Sequence, residues 1–526
     1  NDGFNQNIEL SVEFQDRPEI LINKRNNQIH IICREISHYY RALNYAIHHM
    51  EEDEFQYQEH VCFERNGLML DRSRNAVFTV EKVKFLIKTL AKLGMNVLML
   101  YTEDTYEVEG QPYFGAYRGK YTKDEIKELD AYASMFGVEL VPCIQTLAHL
   151  HNALKWPGMD KIRDSADILQ PEKEETYQFI EKLLSSVKEN FSTNRVHLGM
   201  DEAVMLGLGN YLKENGYKKG SLIIREHCNR VVDICRKLEL KPMIWSDMYI
   251  TANSTGGYYD LPENTDCSKW EKPKKDLGLV YWDYYHDDTR TYEKMLDIHA
   301  QLSDNIIFAG GSWIWNGISP NYSKTYACTK AALSTCKKYN IKEVLCTAWM
   351  DNGAETPVDA LLSMKMLELT GLYEASEDSF NPAEIQVDNF LKEVKELIDC
   401  RLQEKNISLD VFCEPKELVK KFDQDLMISV VTNLIDNAVK ASRKESKIVL
   451  EATPDHLMVQ DFGKGIPKED LEMVTEPFYM VDKSRSRAKG SVGLGLSLCQ
   501  KIIELHDFQL KIESNPGKGT TVSVFW

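Results

Sequence analysis

The sequence predicts an α/β protein: a (β/α)8 TIM barrel with a small N-terminal α/β cap, followed by a second α/β domain. Eight short apolar runs rich in β-forming residues alternate with amphipathic helical stretches between about residues 66 and 353, a length and order typical of such a barrel. Polar and aromatic residues follow each run where it ends, and in a barrel those strand ends meet at one face. The pattern changes after about residue 358, where helices alternate with glycine-rich loops.

The eight runs are continuous rather than alternating, which is typical of parallel strands buried on both faces. They are Gly67–Leu70, Asn96–Leu100, Val138–Ile144, Val196–Met200, Pro242–Trp245, Leu279–Tyr284, Ile306–Trp315 and Val344–Trp349. In the stretch between the first two runs, Val80 to Leu93, apolar residues recur at helical spacing, as expected for a helix that covers the outside of a barrel.

The remaining elements set the predicted boundaries. Ile8 to Phe14 alternates like a strand and Ile36 to Met50 has helical spacing, so residues 1–60 are predicted to form the cap and residues 61–358 the barrel. Leu361 to Leu372 is predicted to be a helix, within a helix remnant and linker over residues 359–380. Residues 381–526 are predicted to form the second domain, beginning with a helix at Val387 to Lys405.

Composition excludes several classes of protein. The net charge of the 526 residues is −18, which argues against nonspecific nucleic-acid binding or binding to an anionic membrane. No apolar run is long enough to span a bilayer, and no signal peptide is visible, although the chain does not begin with Met. The 12 Cys show no CxxC pair, so buried, reduced thiols and a cytoplasmic location are expected.

Adjacent carboxylates end the fourth run, in the sequence His197-Leu198-Gly199-Met200-Asp201-Glu202. Such pairs are usually solvated surface, but these directly follow an apolar strand and are expected at the barrel mouth. Two neighbouring carboxyl groups can divide into an ionised group and an acid when their environments differ.

This motif, His-x-Gly-x-Asp-Glu, resembles the signature of family 20 glycoside hydrolases, the β-N-acetylhexosaminidases, over residues 60–355. The resemblance implies that the substrate's acetamido group is the nucleophile and that the anomeric configuration is retained. It also implies that Glu202 is the general acid and then the general base, and that Asp201 orients the acetamide and stabilises an oxazolinium intermediate. No cofactor is expected for this reaction.

The resemblance implies further contacts to the sugar. Arg74, which closes Asp71-Arg72-Ser73-Arg74, is expected to hold sugar hydroxyls, with a structural ion pair as the alternative. Glu103 or Asp104, after the second run, and His149 are also expected to lie at the site, and Asp351 is expected to contact outer hydroxyls of the sugar. The acetamide pocket is expected to be formed by four aromatic side chains: Trp245, Tyr284 (chosen from Tyr281-Trp282-Asp283-Tyr284), Trp315 and Trp349. Trp313 is as readily explained by packing.

A second group of motifs lies near the C-terminus. Asn433, Asn437 and Lys440 share one face of a predicted helix. They are followed by Asp461-Phe462-Gly463-Lys464-Gly465, and then by Gly493-Leu494-Gly495-Leu496 before an apolar helix to Leu505, whose N-terminus favours anions. Each motif alone is weak, and the second loop is not a Walker loop.

In this order, with Glu476-Pro477-Phe478-Tyr479 between them, the motifs resemble the ATP-binding domain of sensor histidine kinases, of GHKL type, over residues 381–526. The resemblance implies an α/β sandwich that binds Mg-ATP. Asn437 would hold Mg²⁺ with the support of Asn433, and Asp461 would contact the adenine amino group. The other implied nucleotide contacts are Lys440, Gly463, Gly465, Gly493, Gly495 and Thr520, with Phe478, Tyr479 and Lys483 in a mobile lid. The hairpin helix with the phosphoacceptor His is missing from this sequence, so autophosphorylation in cis on the usual His is not expected.

Three hypotheses follow. In the first, the chain is a retaining exo-β-N-acetylhexosaminidase that acts on terminal β-linked N-acetylglucosamine or N-acetylgalactosamine in an oligosaccharide or glycoconjugate and carries an ATP-binding appendage. In the second, it is a two-component signalling module, a truncated histidine kinase with a hairpin domain or response regulator as partner and the barrel as a carbohydrate-binding or inert passenger. In the third, the barrel is catalytically dead and only binds carbohydrate; the intact Asp201-Glu202 pair argues against this. Either of the first two implies a fusion of two modules.

Overall fold

The computed structural model describes residues 8–50, 53–316, 320–352, 372–375, 383–471, 473–474 and 495–526. The chain divides into two compact units, Asn1–Ser376 and Glu377–Trp526. The predicted helix over Leu361 to Leu372 falls almost entirely outside the described residues.

The N-terminal cap is a sheet covered by one helix. Its first strands are β1 (Glu9–Phe14), β2 (Glu19–Arg25), β3 (Gln28–Cys33) and β4 (Glu54–Val61), with α1 at Ile36–His48 between β3 and β4. Strand β1 runs parallel to β3, and β2 pairs antiparallel with both β3 and β4. Ile29, Ile31 and Cys33 alternate with half-exposed residues and turn into the core. The strand and helix expected in this region are therefore present.

The barrel is closed by eight parallel strands in the order of the sequence. They are β5 (Arg65–Asp71), β6 (Val97–Tyr101), β7 (Glu139–Cys143), β8 (Arg195–His197), β9 (Lys241–Trp245), β10 (Gly278–Trp282), β11 (Ile306–Gly311) and β12 (Glu343–Ala348). Each coincides with one of the eight predicted runs, so the predicted barrel is confirmed.

Helices follow the strands as expected for β/α units. They are α2 (Val80–Lys92), α3 (Lys123–Met135), α4 (His151–Leu154), α5 (Glu174–Asn190), α6 (Asn210–Asn215), α7 (Gly220–Lys237), α8 (Asp247–Thr251), α9 (Thr289–Leu302) and α10 (Tyr322–Lys338). Helix α2 begins at an N-cap: the Thr79 side chain accepts a hydrogen bond from the Lys82 amide.

Alternation along the barrel strands separates two cores. In β6, Leu98 and Leu100 pack in the core that the outer helices share, whereas Val97, Met99 and Tyr101 point into the barrel interior. Side chains of successive strand residues point to opposite faces, so this register brings Tyr101 into the interior at the carboxyl end of the strand. That end holds the candidate site.

One further strand completes the cap. β13 (Tyr373–Ala375) pairs antiparallel with β4, and the Cys62 amide donates a hydrogen bond to the Leu372 carbonyl oxygen. The sequence predicts a helix remnant and linker around these residues and no strand, because three residues carry too little pattern to indicate pairing with a strand so distant in the chain.

The second unit is an α/β sandwich. A five-stranded sheet has the order β15-β17-β18-β20-β19, and a two-stranded sheet pairs β14 with β16. The strands are β14 (Ala383–Gln386), β15 (Ser408–Cys413), β16 (Val419–Phe422), β17 (Lys447–Ala452), β18 (His456–Asp461), β19 (Gln509–Asn515) and β20 (Gly519–Phe525). The helices are α11 (Val387–Lys405), α12 (Gln424–Ala441) and α13 (Gly495–Leu505), and they include the three stretches for which the sequence predicts a helix.

The core of this unit lies between the helices and one face of the larger sheet. Leu457 and Val459 alternate with half-exposed residues in β18 and pack with Ile435 of α12 and Ile503 of α13. The same alternation turns Asp461, at the end of β18, toward the helices, where it is buried.

The cysteines whose side chains the structure describes are free thiols, and all of them are buried except the half-buried Cys62. Among the described residues, no helix combines the length and apolar character that crossing a membrane requires.

Candidate functional site

Asp201 and Glu202 lie four and five residues after β8 on a turn with left-handed backbone. Gly199, Met200 and Glu202 have φ of 71°, 71° and 48°. A Cβ on Gly199 would lie 2.0 Å from Gln145 Oε1, so the glycine allows the close approach of that side chain. The turn sends the two carboxylates to different environments: the Asp201 side chain is 10% exposed and the Glu202 side chain 58% exposed.

Asp201 is an ionised carboxylate held by two side chains. His149 Nε2 lies 3.1 Å from Asp201 Oδ2, and Gln145 Nε2 donates to Oδ1 at 3.1 Å. Burial opposes ionisation of Asp201, but His149, Gln145 and Arg74 outweigh it and lower its pKa to about 2.

His149 is the matching cation. The Asp201 charge, opposed by burial and aided by hydrogen bonding to Asp201 and Glu202, raises the His149 pKa to about 11. The ring faces both carboxylates, since Nε2 also lies 3.5 Å from Glu202 Oε2. His149 also has a left-handed backbone conformation, with φ of 55°, so both its backbone and its side chain are held in a specific geometry at this site.

Glu202 is anchored through its backbone, while its side chain stays accessible. Its amide donates to Asp247 Oδ2 at 2.9 Å, and Trp282 Nε1 lies 3.4 Å from the other Asp247 oxygen. Burial and the nearby Asp201 charge raise the pKa of Asp247 to about 7. The arrangement gives one buried, charged carboxylate and one exposed carboxyl group about the same histidine.

Arg74 lies among three carboxylates at the ends of β5, β6 and β12. Arg74 Nη1 is 3.0 Å from Asp351 Oδ1 and 3.7 Å from Asp71 Oδ2, and Nε is 3.9 Å from Glu103 Oε1. Asp71 also accepts hydrogen bonds from the Ser73, Arg74 and Met350 amides, which ties this turn to the end of β12. Of the two acidic candidates after β6, Glu103 therefore faces Arg74.

Asp104 instead pairs with Arg118. Burial raises the pKa of Glu103 to about 7 against the opposing charge of Arg74. The structural ion pair expected as the alternative for Arg74 is present, with Asp351, and the Arg74 side chain remains 20% exposed.

Aromatic side chains form a wall in the barrel interior beside Arg74. Trp245, Tyr284, Trp313 and Trp349 are buried and share one core with the half-buried Trp315. Ring centroids of Tyr284 and Trp315 lie 5.5 Å apart, those of Trp245 and Trp349 6.0 Å, and Arg74 Cζ is 4.8 Å from the Trp349 ring. The structure thus brings all four predicted aromatic residues together.

Trp313 also belongs to this wall: it stacks on Trp315 at 5.1 Å and donates from Nε1 to the Tyr284 carbonyl oxygen at 2.6 Å. Tyr281, the other tyrosine weighed, points to the outer core and donates to Asp283 Oδ2.

Sequence reasoning missed Gln145, Asp247 and Tyr101 as site residues. Gln145 Nε2 contacts both Asp201 and Tyr101 Oη, at 3.1 Å each. Tyr101 is the last residue of β6, Gln145 lies two residues after β7, and Asp247 lies two residues after β9. Their position at strand ends could therefore have indicated that they belong to the site. Their roles depend on contacts between strands, which a single sequence does not show.

The same centre could hold a metal ion by geometry. His149, Asp201 and Glu202 each offer a ligand atom, and these atoms lie within 4.8 Å of one another. The 3.1 Å contact between His149 and Asp201 is accounted for as an ion pair.

The second unit places Asp461 in a pocket of closely approaching backbone. The Gly463 amide donates to Asp461 Oδ1 at 2.8 Å. Burial raises the pKa of Asp461, and hydrogen bonds from the Gly463 and Thr520 backbone oppose it. Cβ atoms on Gly463, Gly465 and Gly519 would lie 2.3, 2.2 and 2.0 Å from the carbonyl oxygens of Ala441, Asn515 and Asp461.

Helix α12 meets this pocket at its C-terminus, because the Lys464 amide donates to the Ala441 carbonyl oxygen at 3.3 Å. Asn437, one turn before Ala441, is half-buried like Asn433, and Lys440 is exposed. Thr520 is buried against Ser514, with 2.9 Å between the hydroxyl oxygens. Gly495 begins α13, whereas Gly493, Phe478, Tyr479 and Lys483 lie outside the described residues.

Comparisons with known proteins agree with this division. Residues 63–284 match the family model "Glycosyl hydrolase family 20, catalytic domain", and residues 422–526 match "Histidine kinase-, DNA gyrase B-, and HSP90-like ATPase". Sensor protein SrrB of Staphylococcus aureus strains NCTC 8325 and COL is 35% identical over 169 residues, which cover 31% of this chain. The match spans only 28% of the length of these curated relatives.

Solved structures show the fold of the first unit. A β-N-acetylhexosaminidase from Bacteroides fragilis matches with a TM-score of 0.54 and 17% identity, covering 76% of this chain and 84% of that one. A family 20 β-N-acetylhexosaminidase from Streptomyces coelicolor matches with a TM-score of 0.53 and 16% identity, covering 69% of this chain and 78% of that one. The chain therefore contains a family 20 glycoside hydrolase catalytic domain and, C-terminal to it, an ATPase domain of the histidine kinase type.

Proposed function

We propose that the barrel is a retaining exo-β-N-acetylhexosaminidase that cleaves terminal β-linked N-acetylhexosamine by substrate-assisted catalysis. The observation that carries the proposal is the division of the Asp201–Glu202 pair. Asp201 is buried, charged and paired with His149, while Glu202 is exposed on the same turn. Two carboxyl groups in such different environments suit an electrostatic role and a proton-transfer role.

The reaction follows from these positions. The acetamido oxygen of the substrate attacks its own anomeric carbon as the glycosidic bond breaks, and Glu202 in its acid form gives its proton to the leaving oxygen. Asp201 accepts a hydrogen bond from the acetamide N–H and stabilises the positive charge of the oxazolinium. Water then attacks the anomeric carbon, Glu202 takes its proton, and the sugar leaves with its configuration retained.

The other site residues hold the sugar. The aromatic wall of Trp245, Tyr284, Trp315 and Trp349 supplies flat apolar faces for the acetamide methyl and the sugar C–H groups. Tyr284 offers a hydroxyl to the acetamide oxygen. Arg74 and Asp351, which pair at 3.0 Å, present donors and acceptors to the outer hydroxyls, so the ion pair positions both groups for the sugar.

Hydrolysis of p-nitrophenyl N-acetyl-β-glucosaminide tests this proposal. The full chain should release p-nitrophenol and be inhibited by a thiazoline mimic of the oxazolinium. Glu202→Gln should remove most of the activity, whereas Glu181→Gln, an exposed glutamate on α5, should leave it unchanged. Full activity in a folded Glu202→Gln chain would contradict the assignment.

For the second unit we propose binding of Mg-ATP. The Asp461 carboxylate, buried and held by backbone amides, would accept from the adenine amino group, and the glycines at 463, 465 and 519 let the backbone around it pack closely. Asn437, with Asn433, and Lys440 would line the phosphate side, with Asn437 as the magnesium ligand. Bound ATP would supply the phosphoryl group for any transfer.

A signalling role is the alternative function, and the match to SrrB, named as a sensor protein, favours it. It requires ATP binding and phosphotransfer to a separately supplied hairpin domain, with a response regulator as the next partner. Assaying glycosidase activity and ATP binding on one preparation separates the proposals: activity without nucleotide binding supports only the hydrolase, and the reverse supports only the signalling module.

A further inference from the structure

Three aromatic side chains cluster on two loops at the carboxyl ends of β6 and β7. Tyr113 and Tyr117 lie in the loop between β6 and α3, and Trp156 follows α4. The ring centroids of Tyr113 and Tyr117 are 5.4 and 6.0 Å from that of Trp156. We call Tyr113, Tyr117 and Trp156 the aromatic platform.

The platform is exposed to an unusual degree. Tyr117 is 97% exposed and Tyr113 58% exposed. A single exposed apolar side chain is ordinary, but a contiguous aromatic patch indicates a binding surface. Trp156 Nε1 is buried and has no hydrogen-bond partner among the described residues, although a buried indole N–H usually has one.

The loop that carries the two tyrosines is held in place. A Cβ on Gly115, which has φ of 68°, would lie 2.2 Å from the Asp104 carbonyl oxygen, so the loop rests directly on the residue after Glu103. Arg118 pairs with Asp104, and Lys120 Nζ donates to the Phe114 carbonyl oxygen at 3.1 Å. A surface fixed before binding loses little entropy when a ligand binds.

Both loops that carry the aromatic platform connect to the candidate active site. Arg118, next to Tyr117, lies 3.7 Å from Glu103, which in turn lies 3.9 Å from Arg74. Trp156 is separated from His149 only by six residues that include the short helix α4. The platform therefore lies on two loops that also contact Glu103 and carry His149, beside the Asp201–Glu202 pair.

Resting on the proposed hydrolase function, we propose that the aromatic platform binds the sugar rings on the leaving-group side of the cleaved bond. The apolar C–H faces of pyranose rings would stack on Tyr117 and on the exposed part of Trp156. The substrate class is then a β-linked N-acetylhexosamine oligosaccharide rather than a small aryl or alkyl glycoside.

The test compares two substrates in the full chain. Tyr117→Ala and Trp156→Ala should each leave kcat/KM for p-nitrophenyl N-acetyl-β-glucosaminide within about twofold, and lower kcat/KM for the β-1,4-linked N-acetylglucosamine tetrasaccharide roughly 3- to 10-fold, mainly through KM. Tyr117→Phe should behave like the unaltered chain. Tyr217→Ala, at a tyrosine 78% exposed elsewhere on the barrel, should change neither substrate.

A binding measurement keeps the two proposals separate. Tetrasaccharide should bind the Glu202→Gln chain, and binding should weaken by the same factor when Tyr117→Ala is added. Equal losses on both substrates, or unchanged tetrasaccharide kinetics and binding, would overturn the platform assignment. A chain that binds the tetrasaccharide through Tyr117 but hydrolyses neither substrate would instead overturn the hydrolase proposal.

Discussion

Replacing His149 by glutamine removes the cation that faces Asp201 and leaves the carboxylate buried. The fall of the Asp201 pKa from 3.8 to about 2 is the net result of burial, which raises it, and of interaction with His149, Gln145 and Arg74, which lowers it; it corresponds to roughly 2 kcal/mol, since one pKa unit is about 1.4 kcal/mol. That interaction acts on a side chain only 10% exposed, so solvent screening is weak. We therefore expect His149→Gln to lower the free energy of unfolding of the first unit by about 2 kcal/mol.

The pH dependence has a definite sign. Asp201 has a lowered pKa, so its contribution is present above the ordinary pKa of 3.8 and is lost as pH falls through about 2. His149 has a raised pKa, so the same pairing is complete below 6.5 and is lost as pH rises through about 11. Both partners are fully charged near pH 5.5, where the difference between the unaltered chain and His149→Gln should be largest.

Two measurements check this expectation. Seven of the eight tryptophans precede residue 376, so urea unfolding followed by tryptophan fluorescence at pH 5.5 reports the first unit. The acid limb of kcat/KM should also move to higher pH in His149→Gln, because burial alone raises the pKa of Asp201. His286→Gln, which breaks the 2.9 Å pair with Asp283, serves as the matched control. An acid limb that stays in place, or an equal loss of stability in both variants, would contradict the pairing of His149 with Asp201.

Further predictions concern single contacts. Burial raises the pKa of Glu103 to about 7, so a pH profile of kcat/KM should lose one ionisation near pH 7 in Glu103→Gln and keep that of Asp247, whose pKa burial also raises to about 7. Asn437→Asp should abolish Mg-ATP binding measured by calorimetry, while Asn389→Asp, at an exposed asparagine on α11, should not; equal affinities would contradict the site. Gly463→Ala should destabilise the second unit by roughly 1–3 kcal/mol, because the new Cβ would lie 2.3 Å from the Ala441 carbonyl oxygen; an unchanged far-UV circular dichroism melt would argue against that close approach.

The barrel strands were predictable because a parallel strand that is buried on both faces forms a continuous apolar run in the sequence. The run Val344–Trp349 is apolar except for Thr347, and the structure places β12 at Glu343–Ala348. The carboxylate pair was predictable for a related reason, since Asp201 and Glu202 follow such a run directly. The apolar runs and the common direction of the parallel strands were therefore enough to predict where the site lies.

Features that depend on distant contacts were not predictable. β13 pairs with β4, more than 300 residues earlier in the chain, and no local pattern indicates that partner. Gln145 and Asp247 follow strands like other polar residues, and only the folded barrel shows that one holds Asp201 and the other the Glu202 amide. Whether Glu103 or Asp104 contacts Arg74 depends on Arg118, because the Arg118 side chain forms an ion pair with Asp104.

Substrate-assisted catalysis requires the acetamido group of the substrate to attack the anomeric carbon while Asp201 holds it. Its most direct test is kcat/KM of the full chain for p-nitrophenyl β-glucosaminides whose N-acyl group carries zero, one, two or three fluorines. Fluorine withdraws electrons from the amide oxygen, so kcat/KM should fall steeply with each added fluorine. A rate that does not change along this series would show that the acyl oxygen is not the nucleophile and would contradict the account.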